Sequence, residues 1–111
     1  MDYSQLSDFE INKRVFKVLT GAKPLGYPHN ADGRSVGNES NGHYCWYDYC
    51  NNPADAWPII VGSKINIRFG AEGMACEAQF MQYGHESVEC YHANPLRAAM
   101  ITFLMKDDKH A

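Results

Sequence analysis

Apolar residues recur along the chain with two different periods. Ile11, Val15, Val18 and Leu19 fall at i, i+4, i+7 and i+8, the spacing that gives a helix one apolar stripe. Ser7 and Glu10 in "SDFE" form a capping box at its start, and Leu6 and Ile11 are placed for a hydrophobic staple. Gly21 supplies a left-handed stop, so the pattern predicts a helix over 7–21. From Lys64 the period drops to two. In "KINIRF" Ile65, Ile67 and Phe69 face one way and Lys64, Asn66 and Arg68 the other. In "CEAQFMQY" Cys76, Ala78 and Phe80 oppose Glu77, Gln79 and Met81, and "SVECYH" turns Val88 and Cys90 inward with Glu89 outward. "GAEG" and "GHE" are short connections, so these three strands form an antiparallel meander with one buried face.

Between the two regimes lies "NNPADAWPIIVG". Asn52 and Pro53 match a helix cap and first turn, whereas Pro58 lacks a donor and clashes with the preceding turn of a continuous helix. The expectation is one turn, then a helix restarted at Pro58 and ended by Gly62, with Trp57, Ile59, Ile60 and Val61 in the core. "NPLRAAMITFLMKDD" closes the pattern. Asn94 caps, Pro95 takes the first helical position, and Leu96, Ala99, Met100, Phe103 and Leu104 make the stripe. Asp107 and Asp108 oppose the helix dipole, which predicts fraying near Lys106. The fold class expected is α+β: a three- to four-stranded antiparallel sheet with an N-terminal helix, a short middle helix and a C-terminal helix.

The remaining stretch, about 22–52, is broken by Pro24, Gly26, Pro28, Gly33, Gly37 and Gly42 and reads as a long irregular loop within a single domain spanning 1–111. Inside it "HYCWYDYC" alternates, with Tyr44, Trp46 and Asp48 on one face and Cys45, Tyr47 and Tyr49 on the other. Residues 44–48 are expected to be a short strand or extended segment. Exposed Trp and Tyr are efficient anchors for a peptide or planar ligand, which makes Trp46, Tyr47 and Tyr49 the candidate partner-binding residues. Large aromatics also fill the cores of small domains, the competing use of the same rings.

Composition narrows the chemistry. With 111 residues, 45% of them hydrophobic and 21% charged, the chain has the make-up of a soluble globular protein. Ten Lys and Arg against thirteen Asp and Glu give a net charge of −3, which argues against a nucleic-acid partner held by phosphate contacts. Lys13, Arg14 and Lys17 line the outer side of the first helix. No stretch reaches the roughly 20 apolar residues of a membrane span, and the first residues lack the cationic start and apolar run of a signal peptide.

Cys45, Cys50, Cys76 and Cys90 are expected as free thiols in a reducing compartment. His43, Cys45 and Cys50 form one metal-capable group and His85, Cys90 and His92 another, but the thirteen residues between Cys76 and Cys90 do not match the paired spacing of a structural zinc site. Neither a cofactor nor a metal is expected.

"WPIIVGSKINI" and "NPLRAAMITFLM", behind an N-terminal helix, resemble the phage NinX family of small proteins. That family typically carries a proline-led "PII" helix start, then strands, then a closing helix that begins "PL" with "AAM" after it. The layout is also similar to the phage ABA-sandwich domain. The resemblance covers most of 7–106 in organisation and about twenty residues in motif. It departs in the insert at 22–43 and at Trp57, where Gly is expected. It implies a bacteriophage or prophage origin and the cytoplasm of an infected bacterium, and it supplies no catalytic residue.

Three classes of function remain. A binding or adaptor protein would present the long loop to a host or phage protein. A small hydrolase would draw on His29, Asp32, His43 and Cys45, types that build nucleophile–base pairs although no spacing here requires it. A zinc-stabilised module is the third. "DGRSVGNES" lacks the strand and helix context of a phosphate-binding loop. The binding reading is preferred.

Overall fold

The computed structural model describes residues 2–24, 32–40, 42–81 and 87–110. After a single 3-10 turn at Tyr3–Gln5, the elements run α1 (Asp8–Thr20), β1 (Val36–Ser40), β2 (His43–Tyr47), α2 (Pro53–Gly62), β3 (Asn66–Arg68), β4 (Cys76–Phe80), β5 (Val88–His92) and α3 (Pro95–His110). Strands β3, β4 and β5 form the expected antiparallel meander in that order, and β1 and β2 form a separate antiparallel hairpin. The arrangement is α+β, with helices leading and closing. The stretch expected to be irregular therefore contains a hairpin, and the extended segment foreseen at 44–48 is its second strand, at His43–Tyr47.

Helix α3 is the axis of the molecule. Every residue from Arg97 to Leu104 is buried, because the three-stranded sheet covers one side of the helix and α1 and α2 cover the other. Small side chains allow the close approach: Ala78 on the central strand and Ala98 and Ala99 on the helix are fully enclosed. The Thr102 hydroxyl, also enclosed, lies 2.9 Å from the Ala98 carbonyl and 3.2 Å from that of Ala78 on the sheet. Asn94 caps the helix, its Oδ1 accepting from the Leu96 and Arg97 amides.

The helix does not fray at Lys106 but continues to His110. Tertiary contacts outweigh the unfavourable dipole there: the Tyr3 hydroxyl donates to the Asp108 carboxylate, and the Lys106 ammonium sits 4.7 Å above the Phe80 ring.

At α1 half of the capping box forms. The Ser7 hydroxyl accepts from the Glu10 amide at 3.1 Å, while the Glu10 carboxylate turns to Lys13 at 3.2 Å. Gly21 ends the helix at φ +73°, as expected. The buried face is Phe9, Ile11, Asn12, Val15 and Phe16; Val18 and Leu19, assigned to the stripe from spacing, are exposed because the last turn runs past the core.

Helix α2 is continuous through Pro58. Pro58 deprives the Ala54 carbonyl of its helical donor, but Ala54 is an exposed first-turn residue whose carbonyl water can satisfy. Ala56, Ile59 and Ile60 face the core, whereas Trp57, 61% accessible, and Val61 point outward, contrary to expectation. Phe69 is likewise outside, 70% accessible, because β3 ends at Arg68 and the alternation ends with it. Among the described residues no helix is long and apolar enough to cross a membrane.

Candidate functional site

The hairpin pairs Val36 with Tyr47 through to Ser40 with His43, and Gly42, just before the second strand, lies at φ +79°. That conformation is open to glycine at little cost, and Asn-Gly is the dipeptide that two-residue hairpins favour. Val36 is fully buried and fastens β1 to the core, with α1 packed against the strand.

Alternation along β2 and the residues after it sorts the aromatic rings into two stacks. Tyr44 and Trp46 lie on one face with centroids 6.0 Å apart and planes 13° from parallel. Tyr47 and Tyr49 stack on the other at 5.7 Å and 2°, and Tyr47 meets Phe16 of α1 at 5.9 Å. The first pair faces solvent, Tyr44 at 55% and Trp46 at 40% accessibility, whereas Tyr47 is half-buried and Tyr49 retains only 4%. Of the three candidate contact residues, Trp46 and Tyr47 thus reach the surface. Tyr49 belongs to the core, where burial pushes its hydroxyl pKa far above the ordinary tyrosine value.

Immediately after β2 the chain enters a polar knot. The Asp48 carboxylate accepts from Asn12 Nδ2 at 3.0 Å, Arg34 Nε at 3.0 Å and Asn51 Nδ2 at 3.1 Å, and the Asp48 amide donates to Asp55 at 2.9 Å. Asn12, fully buried, also donates to the Arg34 carbonyl and accepts from the Cys50 amide, so one amide side chain ties α1 to both strands' ends. Asn51 extends the knot to Asp8 at 3.0 Å, and Asp8 accepts from Arg97 Nη1 at 2.6 Å. Asn94 joins it by donating to the Cys50 carbonyl at 2.7 Å. These bonds fix the hairpin's base to α1 and α3 at once.

Two clefts flank the knot, and Asp55 lines both. A polar one of about 420 Å³ runs between Asp32, Arg34, Trp46, Asn52 and Asp55. An apolar one of about 440 Å³ lies between Leu19, Tyr47, Tyr49, Pro58 and Ile59. Trp46 therefore borders one cleft and Tyr47 the other.

Among the described residues weighed for catalysis, none is hydrogen-bonded to another. His29 lies outside the described residues, as does His85. Both Asp32 oxygens accept local bonds, Oδ1 from the Arg34 and Ser35 amides and Oδ2 from the Ser35 hydroxyl. Burial pushes the Asp32 pKa up, but the bonds from Ser35 and Arg34 together with the Arg34 charge outweigh it and leave the carboxyl below its ordinary value. His43 and Cys45 stand exposed on β2, and among the described residues no thiol is hydrogen-bonded to a histidine. The four cysteines are free thiols. Burial, with the Asp8 charge nearby, drives the Cys50 thiol well above its usual pKa, the opposite of an activated nucleophile. Among the described residues no group of three or more His, Cys, Asp or Glu is placed to hold a metal ion.

Tyr44 and Arg34 were not singled out by the sequence, and Asp48 was placed on a face without a role. The Asn-Gly dipeptide before His43 is the sequence signal that points to a hairpin here.

In comparison with curated proteins the chain has no significant match. The family model described as "Bacteriophage P22, NinX" matches residues 2–107, an extent that includes both clefts, the polar knot, α1, α2 and α3 as far as Asp107. The chain belongs to the bacteriophage P22 NinX family.

Proposed function

We propose that this phage protein is a small non-catalytic binding or adaptor protein, acting on a host or phage protein in the cytoplasm of the infected bacterium. The observation that carries the reading is the stacked Tyr44–Trp46 pair on the outward face of a hairpin that stands apart from the main sheet. Large apolar rings held rigid and left accessible lose little conformational entropy on contact and carry much of the energy of protein interfaces. Tyr47, on the rim of the apolar cleft, adds a second anchor. Tyr49 supports it from beneath through the parallel stack.

Capture from infected-cell lysate on immobilised protein, with Trp46→Ala alongside, tests this. Losing an interface anchor of this kind costs about 2 kcal/mol or more, close to thirtyfold in affinity. The partner should be retained by the natural chain and lost from the variant, with the melting temperature within about 2 °C. Equal capture by the variant would refute the reading, and so would a variant that unfolds.

A further inference from the structure

The outward side of α1 carries a charge pattern opposite to that of the whole chain. Lys13, Arg14 and Lys17 project from it, and the segment leaving Gly21 doubles back so that Lys23 and Pro24 form a facing wall. The result is a groove of about 310 Å³. Gly21 in its left-handed conformation makes the reversal, and Thr20 Oγ1 fixes it by accepting from the Ala22 amide at 3.1 Å. Pro24 is buried, whereas Lys23 is exposed.

Four of the chain's ten Lys and Arg line this groove, with one of its thirteen Asp and Glu, in a molecule whose net charge is −3. That one carboxylate, Glu10, is engaged with Lys13, whose ammonium also sits 4.8 Å from the Phe9 ring. Among the described residues no carboxylate forms an ion pair with Arg14, Lys17 or Lys23. Like charges gathered in a concave site raise the local potential and attract an oppositely charged ligand.

The lining decides which anion fits. Among the described residues no aromatic side chain lines the groove, so these residues offer single-stranded nucleic acid no surface on which to stack bases. The cationic row from Lys13 to Lys17 spans about one helical turn, roughly 6 Å, far shorter than the phosphate track of a duplex site. Beyond the groove the acidic remainder of the molecule would repel an extended polyanion. The aliphatic stems of the lysines offer apolar contact between the charges.

We propose that this groove binds a short acidic peptide segment of a partner protein, two or three carboxylates seated on Arg14, Lys17 and Lys23. The proposal stands independently of the hairpin surface.

Fluorescence anisotropy with a labelled ten-residue Glu-rich peptide tests it, beside a Lys-rich peptide and a ten-nucleotide oligo-dT of the same length. The acidic peptide should bind saturably in 50 mM salt and the Lys-rich peptide should not. Binding should weaken at least tenfold in the Lys17→Glu, Lys23→Glu double variant, with the melting temperature unchanged because both side chains are exposed. Trp46→Ala should bind the peptide like the natural chain. Tighter binding of the oligonucleotide, no saturable binding of the acidic peptide, or affinity indifferent to the charge reversal would overturn the proposal.

Discussion

Asp8→Asn removes one negative charge and almost no volume, which isolates what that charge does. Arg97 is 93% shielded from solvent in the sense that only 7% of its surface remains accessible, and its guanidinium is held by Asp8 Oδ1 at 2.6 Å and the Leu6 carbonyl at 2.7 Å. Its Nε is buried with no partner among the described residues, so the group relies heavily on the bonds it does make. The asparagine oxygen still accepts from Arg97, but a bond between two ions becomes one with a single ionised partner, at a cost of about 1 kcal/mol. Asp8 also opens α1, where its charge favours the helix dipole by about 0.5 kcal/mol. Leaving a mostly buried guanidinium without its counter-charge adds about 1 kcal/mol more, below the full penalty of a broken buried pair because Asp8 itself is 24% accessible.

The expected total is about 2–3 kcal/mol, near 10 °C in melting temperature for a chain of this size. Burial raises the Asp8 pKa, but hydrogen bonds from Asn51 and Arg97 and the Arg97 charge outweigh it, so the folded value lies below the ordinary 3.8. The carboxylate's contribution is therefore complete above the unfolded pKa and is lost as pH falls through the folded one. Urea melts at pH 7 should show the whole gap between the two proteins, and melts at successively lower pH should show it shrinking below about pH 5. A gap under about 0.5 kcal/mol at pH 7, or one that stays constant on acidification, would refute this account of Arg97.

Phe103→Ala empties a site on the buried side of α3 and should cost about 3–5 kcal/mol in urea melts; a loss below about 1 kcal/mol would mean the neighbouring helices close over the space. Gly70→Ala places a Cβ 2.5 Å from the Ala75 carbonyl oxygen and 2.7 Å from that of Met74, both backbone atoms, so the β3–β4 connection must shift. About 2 kcal/mol of destabilisation is expected there, and an unchanged urea midpoint would show the turn to be more open.

The legible parts of the fold are those whose cause is local. Ser7, Asn52 with Pro53, and Asn94 with Pro95 each announce a helix start because capping acts within three residues. The meander was legible because Cys76, Ala78 and Val88 alternate with polar neighbours. Strand β1 was not, because "VGNES" has one apolar residue and takes its conformation from pairing with β2.

Trp57 and Val61 are assigned inward on hydrophobicity and Phe69 on an alternation that stops at Arg68, yet the space beside α3 is filled by Ala56, Ile59, Ile60 and Ile65. The aromatic half of the candidate site could be read from "HYCWYDYC", including its two faces. Its polar foundation could not: Asn12, Asp48 and Arg97 look like surface residues until partners 36 and 89 positions away along the chain satisfy them.

Placing the axial helix last among the described elements has a consequence for how the protein is made. Arg97 grips the carbonyls of Ser4 and Leu6, and Tyr3 reaches Asp108, contacts that join positions 91 to 105 residues apart. During synthesis α1, the hairpin and the sheet leave the ribosome before the surface they pack against exists. The nascent chain must carry Phe16, Ile60 and Val88 unburied until residues 95–104 follow them out. The core closes only when this helix arrives, and a ribosome that stalls before Pro95 releases a polypeptide that lacks the element on which both the sheet and the other helices pack, a ready substrate for the cell's proteases.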